Sequence, residues 1–302
     1  MKKTTIAMAV AGAMFAAGSA FAEGVTVGGY TAVDWLLTND ADDTQEGQFS
    51  VPETEVNFDT ENLFVAAHNS GSSGFDVGQA FVKYAFANGW AMHAGKFDTH
   101  LTDDERNAPD REFIQHSLLF DVLADVGGHS MVGARVSGDL GMANVTVGYG
   151  NDASVTPGGA TDGENSVMLL VNASPMEGLD LELGVLTQDK DGSGVGTLTD
   201  INGTYMISGF TVGADFLSGA DGDTGEFDNG YGLWAGYDFG NGFGVKARLE
   251  TASIVDGDDV DATEIQASYA MNDNVAVRVS LHNIDNGTDD FDTGVVQLIG
   301  TF

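Results

Sequence analysis

The sequence predicts an all-β fold: a transmembrane antiparallel β-barrel, with 16 strands favoured and 14 as the alternative count. Three observations predict it. Segments of about ten residues alternate apolar and polar side chains, the length and pattern of a strand that crosses a bilayer with one face to lipid and one to water. The connections between segments alternate short and long. The last segment, Phe291 to Phe302, is amphipathic and ends in Phe. A soluble antiparallel sandwich also alternates, but nothing in that fold calls for strands of this length.

Met1 to Ala22 reads as a secretory leader. Lys2 and Lys3 form a positive start, Ile6 to Ala17 an apolar stretch, and Ala20-Phe21-Ala22 a small-x-small cleavage site. The mature chain is then a single barrel domain, residues 23–302. Phe49 to Asn69 holds two moderately alternating segments, and counting them as a hairpin gives 16 strands rather than 14. Two clearer strands follow, joined at Ala87-Asn88-Gly89. The longest connection, Thr99 to Gly128, comes next.

Beyond it the alternation is cleaner. Val132, Ala134 and Val136 oppose Arg135. Leu179, Leu181, Leu183 and Val185 oppose Asp180 and Glu182. Phe243, Val245, Ala247 and Leu249 oppose Lys246, Arg248 and Glu250. Val275, Val277, Val279 and Leu281 oppose Arg278, Ser280 and His282.

Of 11 Lys and Arg, Lys2 and Lys3 lie in the leader, which leaves nine against 46 Asp and Glu. So acidic a chain repels nucleic acid. Without cysteine there is neither a disulfide framework nor a thiolate metal site. The 18 Phe, 7 Tyr and 3 Trp, set on a period of two, argue against disorder.

The few bases are informative. A charge on the lipid face near mid-bilayer costs about 2–4 kcal/mol. Lys83, Arg135, Lys246, Arg248 and Arg278 oppose apolar faces and are expected to face the lumen, with Lys96 counted among them. Glu182, Asp215, Asp238, Glu250 and Glu264 are the expected lumen acids.

The connection Thr99 to Gly128 carries Asp103, Asp104, Glu105, Arg106, Asp110, Arg111 and Glu112 in its first part. Phe113, Ile114, Leu118, Leu119, Phe120, Val122 and Leu123 follow. So apolar a segment is expected to pack on the inner wall and carry the charged part across the pore. There its acids would oppose Lys83, Arg135 and Arg278.

Other acidic loops hold weak Ca²⁺-like spacings, at Asp189 and Asp191, at Asp221, Asp223 and Glu226, and at Asp256, Asp258, Asp259 and Asp261. None is a full twelve-residue Ca²⁺ loop, and the bland reading is solvated acidic surface. The six histidines lack metal-ligand spacing. There is no G-x-S-x-G elbow and no phosphate-cradling loop, so no enzyme and no cofactor are expected.

Gln79-Ala80-Phe81-Val82-Lys83-Tyr84, Ala94-Gly95-Lys96-Phe97-Asp98-Thr99, Ser117-Leu118-Leu119-Phe120 and Gly133-Ala134-Arg135 resemble the OmpL-like β-barrel porin family of Gram-negative outer membranes. The resemblance implies a passive outer-membrane channel for small hydrophilic solutes and ions, with a large external loop after the Gly-Lys-Phe strand. It implies a wall embedded in outer-membrane lipid and lipopolysaccharide and, by analogy with 16-stranded porins, a homo-trimer. The terminal Phe302 resembles the signal read by the barrel assembly machinery. A structural or adhesive surface barrel without an open pore is the alternative expectation.

Overall fold

In the computed structural model the described residues are 24–39, 49–69, 76–102, 108, 111–125, 130–151, 165–187, 196–220, 227–255, 257–287 and 290–302. They form sixteen strands. β1 (Val25–Asn39), β2 (Phe49–Thr60), β3 (Leu63–Asn69), β4 (Asp76–Ala85) and β5 (Ala91–Asp98) precede the long connection. β6 (Ser130–Leu140), β7 (Ala143–Asn151), β8 (Asn165–Met176), β9 (Leu179–Thr187), β10 (Thr197–Ile207) and β11 (Phe210–Ala220) follow. β12 (Phe227–Asp238), β13 (Phe243–Ile254), β14 (Val260–Asn272), β15 (Val275–Asp285) and β16 (Asp290–Thr301) complete the sheet.

Each strand pairs antiparallel with its chain neighbours, and β1 pairs with β16, so the sheet closes on itself. Closure leaves no unpaired edge. The Gly29 and Phe302 backbones exchange hydrogen bonds at the seam, at 3.2 and 3.0 Å. The higher strand count holds because Phe49–Thr60 and Leu63–Asn69 pair with each other and with both neighbours.

The turns at residues 61–62, 86–90, 141–142, 177–178, 208–209, 239–242 and 273–274 all lie at one end of the barrel. Exposed Val132, Val147, Val167, Leu169, Leu183, Leu233, Leu249, Ile265 and Leu281 point outward in a band around the wall. Aromatic rings border it. At the turn end Phe210 lies 4.4 Å from Tyr237 and Phe243 4.5 Å from Tyr269; at the other end Trp35 stacks on Phe49 at 5.8 Å. An apolar band bordered by aromatic rings is the pattern that a barrel wall facing lipid would carry. Among the described residues no helix is long and apolar enough to cross a membrane.

The buried apolar core lies inside the barrel. Met168, Leu170, Leu186, Leu198 and Leu217 point inward from the loop-end halves of β8 to β11 and meet Phe97, Met131, Phe227 and Ala252. The turn-end halves of the same strands turn Asn172, Glu182, Asn202 and Asp215 inward.

Candidate functional site: the loop inside the barrel

The connection between β5 and β6 enters the barrel and crosses it. Its first residues carry Leu101 to the inner wall at β8 to β10, where Leu101 is buried. A Cβ on Gly184 would stand 2.3 Å from the Leu101 methyl, so a larger residue there would push Leu101 out of its seat.

Ala108 and Arg111 then meet β1 and β2. The Glu53 carboxylate accepts from the Tyr30 hydroxyl at 3.1 Å, the Ala108 N–H at 3.1 Å and Arg111 Nη2 at 2.8 Å. Glu53 and Arg111 are both buried, so the ion pair is shielded from solvent and salt.

The chain next runs along β13 to β15, whose bases hold its backbone. Arg278 Nη1 donates to the Ala108 and Arg111 carbonyls, both at 3.1 Å. Gln266 donates to the Glu112 carbonyl at 3.1 Å, and Lys246 pairs with the Glu112 side chain. Arg248 reaches the carbonyls of Gln115 at 3.2 Å and His116 at 2.9 Å, lies 3.0 Å from both Glu250 and Glu264, and covers the Phe113 ring at 4.6 Å.

The apolar part forms a helix, α1 (Leu118–Asp125). Ser117 caps it, its hydroxyl accepting from Phe120 N–H at 3.0 Å. Glu250 accepts from Leu118 N–H at 3.1 Å, which sets a wall carboxylate at the positive end of the helix. Leu119 and Leu123 face the inner apolar cluster. Leu119 seats over Gly230, where a Cβ would lie 2.5 Å from its methyl.

The sequence placed these groups in part. Lys83, Arg135, Lys246, Arg248 and Arg278 share inner faces, as the registers require. Lys83 pairs with Asp59 of β2. Arg135 donates to the Asp98 carbonyl at 3.1 Å and covers the Phe97 ring at 4.8 Å.

Lys96 is a correction. It pairs with Val132 of β6 and Ala80 of β4 on the outer face, while Phe97, Gly95 and His93 take the inner one. Its ammonium turns to the Val77 carbonyl at 2.9 Å. Long lysines near a strand end reach the interface this way.

The expected opposition of loop acids to Lys83, Arg135 and Arg278 also changes. Arg278 holds loop carbonyls, and the loop acid Glu112 pairs with Lys246. Asp103, Asp104, Glu105, Arg106 and Asp110 lie outside the described residues. So do the Ca²⁺ candidates Asp189, Asp191, Asp221, Asp223, Glu226 and Asp256. Among the described residues no group of three or more carboxylates or histidines is placed to hold a metal ion.

One sector of the inner wall has a single sign. Strands β7 to β12 contain no Lys or Arg, yet β9 to β11 turn Asp180, Glu182, Asp200 and Asp215 inward. The sequence reading missed Tyr30 of β1, Glu53, which stands where the strand count was open, and helix α1.

No family model and no curated protein matches the sequence. Solved structures do resemble the fold. An anion-selective porin from Comamonas acidovorans aligns with TM-score 0.68 at 14% identity, over 92% of this chain and 99% of that one. Pseudomonas putida OprB aligns with TM-score 0.70 at 11% identity, over 92% and 94%. OmpT, an outer membrane protein of Vibrio cholerae in its trimer form, gives 0.64 at 13%, over 92% and 99%. At these identities the likeness is one of fold.

Proposed function

We propose that the chain is a passive outer-membrane porin for small hydrophilic solutes and ions, narrowed by the loop between β5 and β6. One observation carries this reading: a closed barrel, apolar outside, holds a charged loop inside itself by polar bonds to the wall. A loop held so rigidly sets a fixed aperture, which sieves solutes without energy input. The likeness to porin folds and the OmpL-like residue pattern between Gln79 and Arg135 support the assignment.

On this reading residues 1–22 are removed on export, and residues 23–302 sit in the outer membrane of a Gram-negative cell. The wall meets lipid and lipopolysaccharide, the Phe302 strand is read by the assembly machinery, and three copies assemble as a trimer. The chain performs no catalysis and binds no nucleic acid.

The apolar cluster of Met168, Leu186, Leu198, Leu119 and Leu123 favours a second reading, a structural barrel with a blocked lumen. Single-channel recording of the refolded protein in planar bilayers separates the two. Discrete conductance steps support the porin, and a silent membrane containing folded protein overturns it.

A further inference from the structure

We infer that Asp200 of β10 and Asp215 of β11, together with the Thr102 hydroxyl, hold a hard divalent cation of the Ca²⁺ type that ties the first leg of the loop to the inner wall. Asp200 is fully buried, and one of its carboxylate oxygens, Oδ1, has no hydrogen-bond partner. The other, Oδ2, accepts from Asn202 Nδ2 at 2.7 Å, and the same amide reaches Glu182 at 3.3 Å. The Asp200 side chain also meets the Asp215 side chain and the Thr102 backbone N–H. Thr102 is 6% exposed and its hydroxyl has no hydrogen-bond partner.

Two carboxylates in contact need a positive charge between them, either a proton or a metal ion. The strands that hold the pair supply none, because β7 to β12 carry no Lys or Arg. Arg248 of β13, which lines the cavity beside Asp215, is already engaged by Glu250, Glu264 and two loop carbonyls. A shared proton would join the two acids but leave Asp200 Oδ1 and the Thr102 hydroxyl unsatisfied in a buried place. A cation with oxygen ligands satisfies both, and water can complete its shell. Thr102 itself is held at φ 77°, a conformation a β-branched residue rarely adopts. A ligand bond through its hydroxyl gives a reason for it.

The test uses the full mature chain refolded in detergent. Ca²⁺ is titrated by calorimetry, and Tb³⁺ by luminescence excited through tryptophan, since Trp234 lines the same cavity as Asp215. One lumen site is expected. Asp200→Asn and Asp215→Asn should each weaken it by at least about tenfold, as loss of a direct ligand should exceed the effect of losing an outer-shell partner. Thr102→Val should weaken it less. Asp258→Asn with Asp259→Asn, on an external loop, should leave it unchanged. Circular dichroism of each variant separates lost binding from lost folding.

Ca²⁺ binding that Asp200→Asn leaves intact would move the ion to the outer loops and overturn the inference. So would the absence of Ca²⁺ and Tb³⁺ binding in the folded parent, which would leave a shared proton only. Neither measurement needs an open pore, so failure here is distinct from failure of the porin reading.

Discussion

Arg248 and Glu264 face each other across the β13–β14 pair at 3.0 Å, and the same guanidinium holds the backbone of the loop at Gln115 and His116. A wall ion pair and a loop anchor are thus one group. Glu250 completes the arrangement by receiving the first N–H of α1.

Replacing Arg248 by Ala should therefore do two things. It leaves Glu250 and Glu264 buried without their cation, which costs about 3–5 kcal/mol. It also releases two loop carbonyls. Thermal unfolding should shift down, and single-channel traces should become noisier as the loop moves. A variant with parental stability and quiet traces would show that Arg248 does not hold the loop.

Deleting residues 103–119 should raise single-channel conductance while the barrel stays folded, because the strands close without the loop. The deletion also removes Leu119 from its seat over Gly230, so some stability should be lost, about 2–5 kcal/mol for that side chain. Unchanged conductance in a folded deletion variant would mean that the loop does not set the aperture.

Ion selectivity should favour cations. The field of the external acids decays over about 8 Å at physiological salt, so at the mouth it weakens as salt is raised. Lumen groups act at close range. There the bases of β13 and β15 are engaged with loop carbonyls and carboxylates, while the wall of β9 to β11 carries acids alone. The cation preference should therefore fall with salt but persist in part. Asp180→Asn with Glu182→Gln should lower that residue of selectivity. Reversal potentials across a salt gradient, at low and high mean salt, measure this, and anion preference at low salt would refute it.

Lys96→Leu should leave conductance and reversal potential unchanged, since its side chain lies on the outer face. Lys83→Leu should shift the reversal potential toward cations, since it leaves Asp59 without its inner-face base. Paired bilayer recordings of the two variants check the contrast. An equal shift from both would place Lys96 in the lumen after all.

The barrel, its hairpin order and the facing of five basic residues are legible in the sequence, because alternation over a full strand allows one register only. Lys96 is not. β5 offers Met92, Ala94 and Lys96 on one side against His93, Gly95 and Phe97 on the other, and only pairing with Val132 decides between them. The inner apolar cluster is hidden for a related reason. In Leu169-Leu170 and Val185-Leu186 both faces are apolar, so the pattern cannot say that the second residue of each meets the loop rather than the bilayer. Helix α1 escaped because its leucines share one flank only after the chain has left the wall. Glu53 escaped because its three partners arrive from 23, 55 and 58 residues away.

The path of the loop also bears on mechanics. Hydrogen bonds make a β-barrel stiff around its hoop, yet a thin ring flattens readily when squeezed from the side. Here one segment is seated against β8 to β10 at Leu101, tied to β2 at Arg111 and clamped to β13 at His116. Ties at three points around the circumference act as spokes. They resist ovalisation, so lateral pressure that would pinch an unbraced cylinder is carried by the loop, and the cross-section stays constant under load.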